Sequence, residues 1–435
     1  MFKYYEHMFG NMPEDGIKTI PMKSRKGKPF DQFTLWFAAN LTLADFAIGF
    51  IPVIFNLSIL YSIIGIILGN ILGSLIVGTF SSMGPGRGKT QMMISEDTFK
   101  RSNFLFSFFQ GTSALGWFVV NLILGTMAIL TIFKTDFVIV IIIYGTIQVF
   151  IAFFGHDYIH KLEKIFSVFL GIMFLYITLF GNLSFNLSYT PENNLIGLGV
   201  LLASAFAYIA SWAPYASDYS RYLPEDSSRL KVFFYSFTGS FLSTVWIEML
   251  GYIVAIKTMD MNSMQAAYRV SGYFGILVSL ALVLGGIGTN SINIYSSSLS
   301  FNAIFKNKNR MKILLTGAII SFIVSIIGYY NFYSFYEDFL YLLDYWIMPW
   351  AGVIFADYIF IKNGNSKISF VSFLIGLSIS IPFMNPEVLF SGPVSNFLGG
   401  VDISYFISFI FSFISYTALS KKFRPLQQSL SHHHP

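Results

Sequence analysis

Long apolar runs recur along the whole chain and limit its fold more than any other feature. Of the 435 residues, 54% are apolar and only 11% are charged, whereas a soluble protein carries about 25% charged residues. Several runs exceed the ~20 residues that a helix needs to cross the hydrocarbon core of a bilayer. The sequence therefore predicts an all-α polytopic membrane protein.

Hydropathy over windows of about 20 residues divides the chain into about twelve transmembrane helices. The predicted spans are 33–55, 58–82, 103–131, 136–154, 163–181, 195–217, 232–256, 272–300, 313–330, 335–360, 369–385 and 401–419.

The positions of the basic residues orient this map. With the N-terminus in the cytosol, 24 of the 27 Lys and Arg residues fall on the cytosolic side, and only Lys134, Lys257 and Arg269 fall outside. Such a bias is the positive-inside rule for plasma-membrane proteins. We therefore expect a multi-pass protein of the cell membrane with both termini cytosolic. The net charge of +5 lies in these loops and is no argument for a nucleic-acid partner.

The short loops limit the class of function. Apart from the N-terminal tail, no predicted extramembrane segment exceeds about twenty residues, too few for a separate domain. The chain has no cysteine, which excludes disulfides and thiolate chemistry. A channel, a transporter and an intramembrane enzyme are the possible classes. The predicted spans contain no pattern of nucleophile and base or of metal ligands, so an enzyme is the weakest of the three.

Two motifs resemble known sites without matching them. The stretch GPGRGKT at 84–90 lacks the first glycine of a phosphate-binding loop, since Met83 stands there, and no predicted strand precedes it. His156, Asp157 and His160 have a spacing suited to a metal on a helix, but no convincing further ligand accompanies them. We interpret the first as a cytosolic turn and the second as interfacial residues.

Polar residues inside the spans are candidate functional residues, because burying them in a membrane is costly. Span 1 contains WFAANLTLADF, with Asn40, Thr42 and Asp45. Span 3 contains FFQGTSALGWFVVN at 108–121, which includes Gln110, Trp117 and Asn121. Trp117 and Asn121 are four residues apart and share one helical face.

Spans 6 and 8 carry the other two polar stretches. Span 6 runs into SWAPYASDYSRYLP at 211–224, where Trp212 and Pro214 predict a break in the helix. Broken backbone at membrane depth is tolerated where it lines a cavity, and secondary transporters use such breaks to contact substrate. Span 8 contains LGGIGTNSINIYSSSLS at 284–300, with Thr289, Asn290 and Asn293 beside a glycine cluster.

Trp117 and Trp212 are predicted to clamp a flat ring between their faces. Stacking of this kind accepts any planar heterocycle, so it selects a class of substrate. Asn and Gln side chains offer a donor and an acceptor side by side and would match the polar edge of such a ring. For Trp246, Trp346 and Trp350 we expect interfacial or lipid-facing positions instead.

At these residues the sequence resembles the nucleobase:cation symporter-1 family, and within it the purine–cytosine permeases. The matching stretches are SWAPYASDYSRYLP after span 6, WFAAN in span 1, Gly84-Pro85 with Gln91, Met92 and Ser95 before span 3, GWF-x-x-N in span 3, GTNSINIYSSSLSF in span 8 and PWAGVIFADY at 349–358. They follow in the expected order over residues 33–360.

The resemblance implies a leucine-transporter-like fold and symport of a nucleobase or related heterocycle with a cation. Residues 1–31 would be a cytosolic tail, 32–360 a ten-helix core of inverted repeats (about 32–181 and 195–360), 361–420 two peripheral helices and 421–435 a second tail. Trp117, Trp212 and Asn121, with Gln110, Asn290 and Asn293, would bind substrate. Backbone carbonyls near Ala38, Leu41 and Gly285, with the Thr289 hydroxyl, would bind Na⁺. No cofactor is implied.

The coupling ion and the substrate each have an alternative. Gly288 stands where sodium-coupled relatives carry a second hydroxyl, so a carbonyl or water would have to replace one ligand. Asp45 and Glu248 could carry a proton instead, but we favour a hydrogen bond to a neighbouring helix for Glu248 and an outward, water-facing position for Asp45. The alternative substrate for the same fold is a non-aromatic amino acid or amine.

Overall fold

The computed structural model describes residues 19–153, 156–183, 189, 191–259, 261–304, 310–362, 365–386 and 390–431. Side chains are described for most of these, but those of His156, Asp157 and His160 lie outside the described set, as do residues 432–435.

Helices form almost all of the regular structure in the described residues. They are α1 (Asp31–Ala39), α2 (Leu43–Ile48), α3 (Ile51–Ile54), α4 (Ile59–Ser81), α5 (Gly84–Arg87), α6 (Gln91–Phe99), α7 (Asn103–Ile132), α8 (Phe137–Phe153), α9 (His156–Phe180), α10 (Leu195–Ala210), α11 (Ala216–Ser220), α12 (Arg229–Thr258), α13 (Ser263–Val270), α14 (Gly275–Ile304), α15 (Arg310–Gly328), α16 (Phe332–Ala356), α17 (Ser366–Ser380), α18 (Pro393–Phe397) and α19 (Ser404–Ser431).

Each of the twelve predicted spans overlaps one or more helices, and the first overlaps three, α1 to α3. Among the described residues, eight helices are long and apolar enough to cross a membrane, or nine when the bent pair Asp31–Ala39 and Leu43–Ile54 is taken as one span. Phe137–Ala152 and Lys164–Phe180 are shorter apolar helices. The all-α membrane fold is thus confirmed, whereas the total of twelve spans stays a prediction.

The first span is broken at Asn40, Leu41 and Thr42, where its two halves meet at an angle of 58°. The side chains explain the break. Asn40 folds its amide back onto the carbonyl oxygen of Trp36 (2.7 Å), at the end of α1. Thr42 adopts an extended conformation and caps α2 by accepting a hydrogen bond from the backbone N–H of Asp45.

The predicted break after span 6 is present as a change of helix type. Helix α10 ends at Ala210, a 3₁₀ turn covers Ala213–Tyr215, and the short α11 follows. Pro214 lies inside the turn, where its missing N–H interrupts the α-helical ladder. The predicted turn at GPGRGKT is also observed. Gly88 ends α5 with a left-handed φ of 61°.

Trp346 and Trp350 contradict the expectation of interfacial or lipid-facing positions. Their exposed fractions are 7% and 0%, and both indole N–H groups donate hydrogen bonds, to the hydroxyls of Ser113 (3.2 Å) and Ser95 (2.8 Å). These bonds join α16 to α7 and α6. Trp246 is less buried than either and donates to the hydroxyl of Thr178.

Candidate substrate cavity

A cavity of about 680 Å³ lies beside the broken first span. It extends from Asn121, which is 3% exposed, to the exposed side chains of Asp31 and Lys164. It is therefore open on the side where α1 begins. The cavity is lined by Asp31, Thr34, Leu35, Ala38, Ala39, Thr42, Ala44, Trp117, Asn121, Lys164, Ser167, Val168, Tyr208, Ser211, Trp212, Tyr215, Tyr219, Thr289, Ile292, Asn293 and Ser296.

Trp212 lines the cavity, and contacts with neighbouring side chains fix its ring. Its indole N–H donates a hydrogen bond to the side-chain oxygen of Asn40 at 3.0 Å. The rings of Trp36 and Tyr215 meet it edge-on, with centroids 5.7 and 6.2 Å away. Asn40 therefore has two roles, since it ends α1 and orients Trp212.

Trp117 lines the cavity from α7, and three aromatic rings hold it. Phe339, Tyr208 and Tyr336 approach it edge-on, with centroid distances of 5.1, 5.6 and 6.2 Å. Edge-to-face contacts of this kind contribute about 0.5–1.5 kcal/mol each beyond burial. The indole is therefore positioned before any ligand arrives.

Asn121 follows Trp117 by one helical turn and has an unused acceptor. Its amide nitrogen donates to the carbonyl oxygen of Trp117 at 3.0 Å. Its side-chain oxygen is buried and accepts no hydrogen bond from the described residues. Because leaving a buried polar atom unpaired costs about 1–3 kcal/mol, this oxygen is a strong candidate for a ligand contact.

Helix α14 places its two asparagines differently. Asn293 lines the cavity and donates to the side-chain oxygen of Asn290 at 3.2 Å. Asn290 does not line it, since its amide nitrogen donates to the backbone oxygen of Phe118 (2.9 Å) and to Gln148 (3.0 Å). Asn290 thus orients Asn293 from behind.

Gln110 also lies outside the cavity lining. Its amide nitrogen donates to the carbonyl oxygen of Pro214 at 3.0 Å, and its side-chain oxygen accepts a hydrogen bond from Ser300 at 3.4 Å. The hydroxyl of Tyr215 donates to its backbone oxygen. Gln110 therefore supports the 3₁₀ turn that follows Trp212.

The four predicted cation-binding residues are distributed over two cavities. Ala38 and Thr289 line the main cavity. Leu41 lines a neighbouring one of about 230 Å³, to which Ala38 also contributes. Gly285 lines neither and packs against Leu170, whose side chain would lie 2.6 Å from an added Cβ. A sodium site formed by these four residues stays a prediction.

Several lining residues were missed at the sequence level. Tyr208, Ser211 and Tyr215 surround Trp212 in the chain, and Tyr208 precedes it by four residues. That spacing places Tyr208 and Trp212 on one helical face and could have identified the tyrosine. For Asp31 and Lys164 the sequence carries no such signal, because both lie at the ends of apolar segments.

The family profile for permeases of cytosine/purines, uracil, thiamine and allantoin matches residues 19–369. The chain belongs to this permease family. This match confirms the resemblance noted in the sequence. Members of the family are transporters and not enzymes, which confirms the expectation that this chain is not an enzyme.

Individual relatives and a solved structure agree with this assignment. YxlA of Bacillus subtilis, which carries the name of a purine-cytosine permease, is 27% identical, covering 93% of this chain and 95% of its own. The purine-cytosine permease fcyB of Emericella nidulans is 24% identical, covering 94% and 88%.

Mhp1, a nucleobase-cation-symport-1 family transporter, has the same fold. In its inward-facing conformation the TM-score is 0.78, with 15% identity and coverage of 96% of this chain and 94% of Mhp1. In a closed conformation with bound bromovinylhydantoin the TM-score is 0.71, with 16% identity and 94% coverage of both chains. The permease therefore has the leucine-transporter-like fold. The limits of its two repeats stay a prediction.

Proposed function

We propose that this permease is a secondary active transporter that imports a nucleobase or a related planar heterocycle together with a cation. One observation carries the proposal. Two indole rings, each held by neighbouring aromatic side chains, line the same cavity as Asn121, whose buried side-chain oxygen has no hydrogen-bond partner among the described residues. Aromatic faces and a single acceptor suit a flat ring that carries an N–H group.

The polar atoms narrow the substrate further. Asn121 offers an acceptor and Asn293 a second amide, so the ligand needs at least one ring N–H or exocyclic amino group. Cytosine, purines, uracil, allantoin and hydantoins satisfy this requirement. The family description, which includes cytosine, purines, uracil and allantoin, supports the same class.

The cavity supports an alternating-access mechanism. It opens beside Asp31 and Lys164. With the N-terminus in the cytosol, as the basic residues predict, this opening would correspond to an inward-open state. Import would require a second state that opens the other side while the broken first span moves relative to α7 and α14. The chain would then act in the plasma membrane with Na⁺ or H⁺ as the co-transported ion.

Uptake by the purified permease in liposomes tests the proposal. Radiolabelled cytosine, adenine, hypoxanthine, uracil, allantoin and hydantoin are offered under sodium and proton gradients, separately. We expect saturable uptake of at least one of them. Competition by amino acids or amines, with no effect of any heterocycle, would contradict the proposed substrate class.

Two tryptophan variants link that uptake to the cavity. Trp117→Ala removes a stacking face, and we expect a loss of about 1–3 kcal/mol in binding, or about 5- to 150-fold in affinity. Trp346→Ala is the matched control, since Trp346 lines neither of the two cavities. Equal effects of the two substitutions on affinity would remove the support for ring stacking.

A further inference from the structure

Two carboxyl groups lie against each other behind the wall of the main cavity. Asp45 on α2 and Glu248 on α12 are both 0% exposed, so the water-facing position expected for Asp45 is wrong. Their carboxyl groups lie close enough to interact with one another. Within the described residues, no lysine or arginine forms an ion pair with either. Since ionised carboxylates only accept hydrogen bonds and repel each other, a proton held by one of them would stabilise this arrangement.

Close approach of two backbones sets up this contact. A Cβ on Gly49, one turn after Asp45, would lie 2.2 Å from the carbonyl oxygen of Glu248. A Cβ on Gly251 would lie 2.3 Å from the carbonyl oxygen of Phe46. The absence of side chains at both positions lets the second half of the broken span pack directly on α12. The carboxyl pair therefore lies at the junction of these two segments.

The remaining neighbours distinguish the two carboxyl groups. The amide of Asn70 on α4 donates to one Glu248 oxygen at 2.6 Å, which favours a negative charge on Glu248. Neither Asp45 oxygen accepts a hydrogen bond from a described donor, nor does the second Glu248 oxygen. Tyr208 on α10 and Tyr336 on α16 are titratable groups near the pair, and their hydroxyls contact the Thr42 hydroxyl and the carbonyl oxygen of Ala44, respectively.

A single residue layer separates the pair from the cavity. Thr42 accepts a hydrogen bond from the backbone N–H of Asp45, and its hydroxyl is 2.8 Å from that of Tyr208. Both Thr42 and Tyr208 line the cavity. The same half-span thus carries a wall of the substrate cavity on one side and Asp45 on the other.

From this geometry we infer that Asp45 and Glu248 form a proton-binding pair that couples proton entry to substrate movement. The inference rests on the proposed transport function and names the co-transported ion. With one proton shared, the half-span packs on α12 as observed. Loss of that proton leaves two buried negative charges, whose repulsion favours separation of α2 from α12. Protonation would therefore bias the position of a segment that also contacts the substrate.

Two neutral, nearly isosteric variants test this coupling, Asp45→Asn and Glu248→Gln. The control is Asp344→Asn, because Asp344 is 1% exposed, finds no donor for either oxygen among the described residues and does not line the cavity. Each full-length protein is placed in liposomes with a substrate from the uptake panel. Accumulation is measured under a gradient of two pH units, and substrate exchange is measured without a gradient.

The inference predicts different results in the two assays. A symporter that moves one proton with each substrate can reach about 100-fold substrate accumulation under a gradient of two pH units. Each pH unit can support a tenfold ratio of internal to external substrate concentration. We expect the two variants to fall to a ratio near one while they keep exchange, and the control to accumulate like the unmodified protein. Acid-driven accumulation that persists in Asp45→Asn, or that is absent in the unmodified protein while sodium drives uptake, would overturn the inference.

An infrared measurement separates this inference from the proposed function. The infrared spectra of the unmodified protein and of Asp45→Asn are recorded at neutral pH without substrate. Their difference spectrum should show the absorption of a protonated carboxyl group. Its absence would refute the shared proton. If no heterocycle is transported, the proposed function fails, and the infrared difference alone then decides whether the pair holds a proton.

Discussion

Asn121→Ala tests the most specific polar contact of the cavity. The substitution removes a buried acceptor that has no partner among the described residues and that belongs to a residue lining the cavity. In the complex, a substrate N–H would lose its acceptor, at a cost of about 1–3 kcal/mol. Affinity should therefore fall about 5- to 150-fold.

The unliganded protein should respond differently. Among the described residues, the Asn121 side chain makes one hydrogen bond, to the carbonyl oxygen of Trp117 within the same helix. Removing an unpaired buried oxygen offsets the loss of that bond, so we expect the free energy of unfolding to change by less than about 1 kcal/mol. Weaker binding with unchanged stability is the expected signature.

Gln148→Leu is the matched control. Gln148 is also a fully buried amide, but it contacts Asn290 on the far side of α14 and does not line the cavity. We expect its removal to lower stability by about 1–2 kcal/mol, because Asn290 loses a partner, and to leave affinity within about twofold. Isothermal titration and thermal unfolding in detergent measure both quantities. A loss of affinity in Gln148→Leu as large as that in Asn121→Ala would refute the reasoning.

Three further predictions concern the scaffold. Gly251→Ala should lower the free energy of unfolding by about 1–3 kcal/mol, because the new Cβ would meet the backbone of Phe46. Gly171→Ala should lower it less, since only the Leu41 side chain must move. Equal shifts in melting temperature for the two variants would contradict this prediction. Trp350→Phe should lower the free energy of unfolding by about 1 kcal/mol through loss of the bond to Ser95, and unchanged thermal unfolding would argue against that bond. Asp97→Asn removes partly exposed ion pairs to Arg87 and Lys89 and should change the free energy of unfolding by less than about 1 kcal/mol. The change should become smaller in high salt, and a larger loss that does not depend on salt would contradict this prediction.

The helices and the break after span 6 could be predicted because their causes are local. Each apolar run is long enough to specify a helix, and Pro214 lacks the N–H that the α-helical ladder needs, whatever surrounds it. Trp117, Asn121 and Trp212 were singled out as polar or aromatic groups in otherwise apolar spans. The structure places all three at one cavity.

The orientation of individual side chains could not be predicted in the same way. In a membrane protein, lipid-facing and core-facing positions are both apolar, so composition does not separate them. Trp346 and Trp350 were therefore assigned to the wrong environment. Asn290 and Asn293 differ by less than one helical turn, and only the packing of α14 on α7 and α8 determines which of them reaches the cavity. Leu41 and Gly285 were predicted to bind a cation through their backbone carbonyls. The direction of a backbone carbonyl cannot be inferred from the pattern of side chains.

The central claim is that a flat heterocycle binds between Trp117 and Trp212, and an experimental structure of the permease with a transported substrate tests it most directly. The account predicts a ring stacked on both indoles, at centroid distances of about 4.5–7 Å, with a substrate nitrogen about 3 Å from the side-chain oxygen of Asn121. A substrate bound elsewhere, or one that leaves that oxygen without a partner, would contradict it.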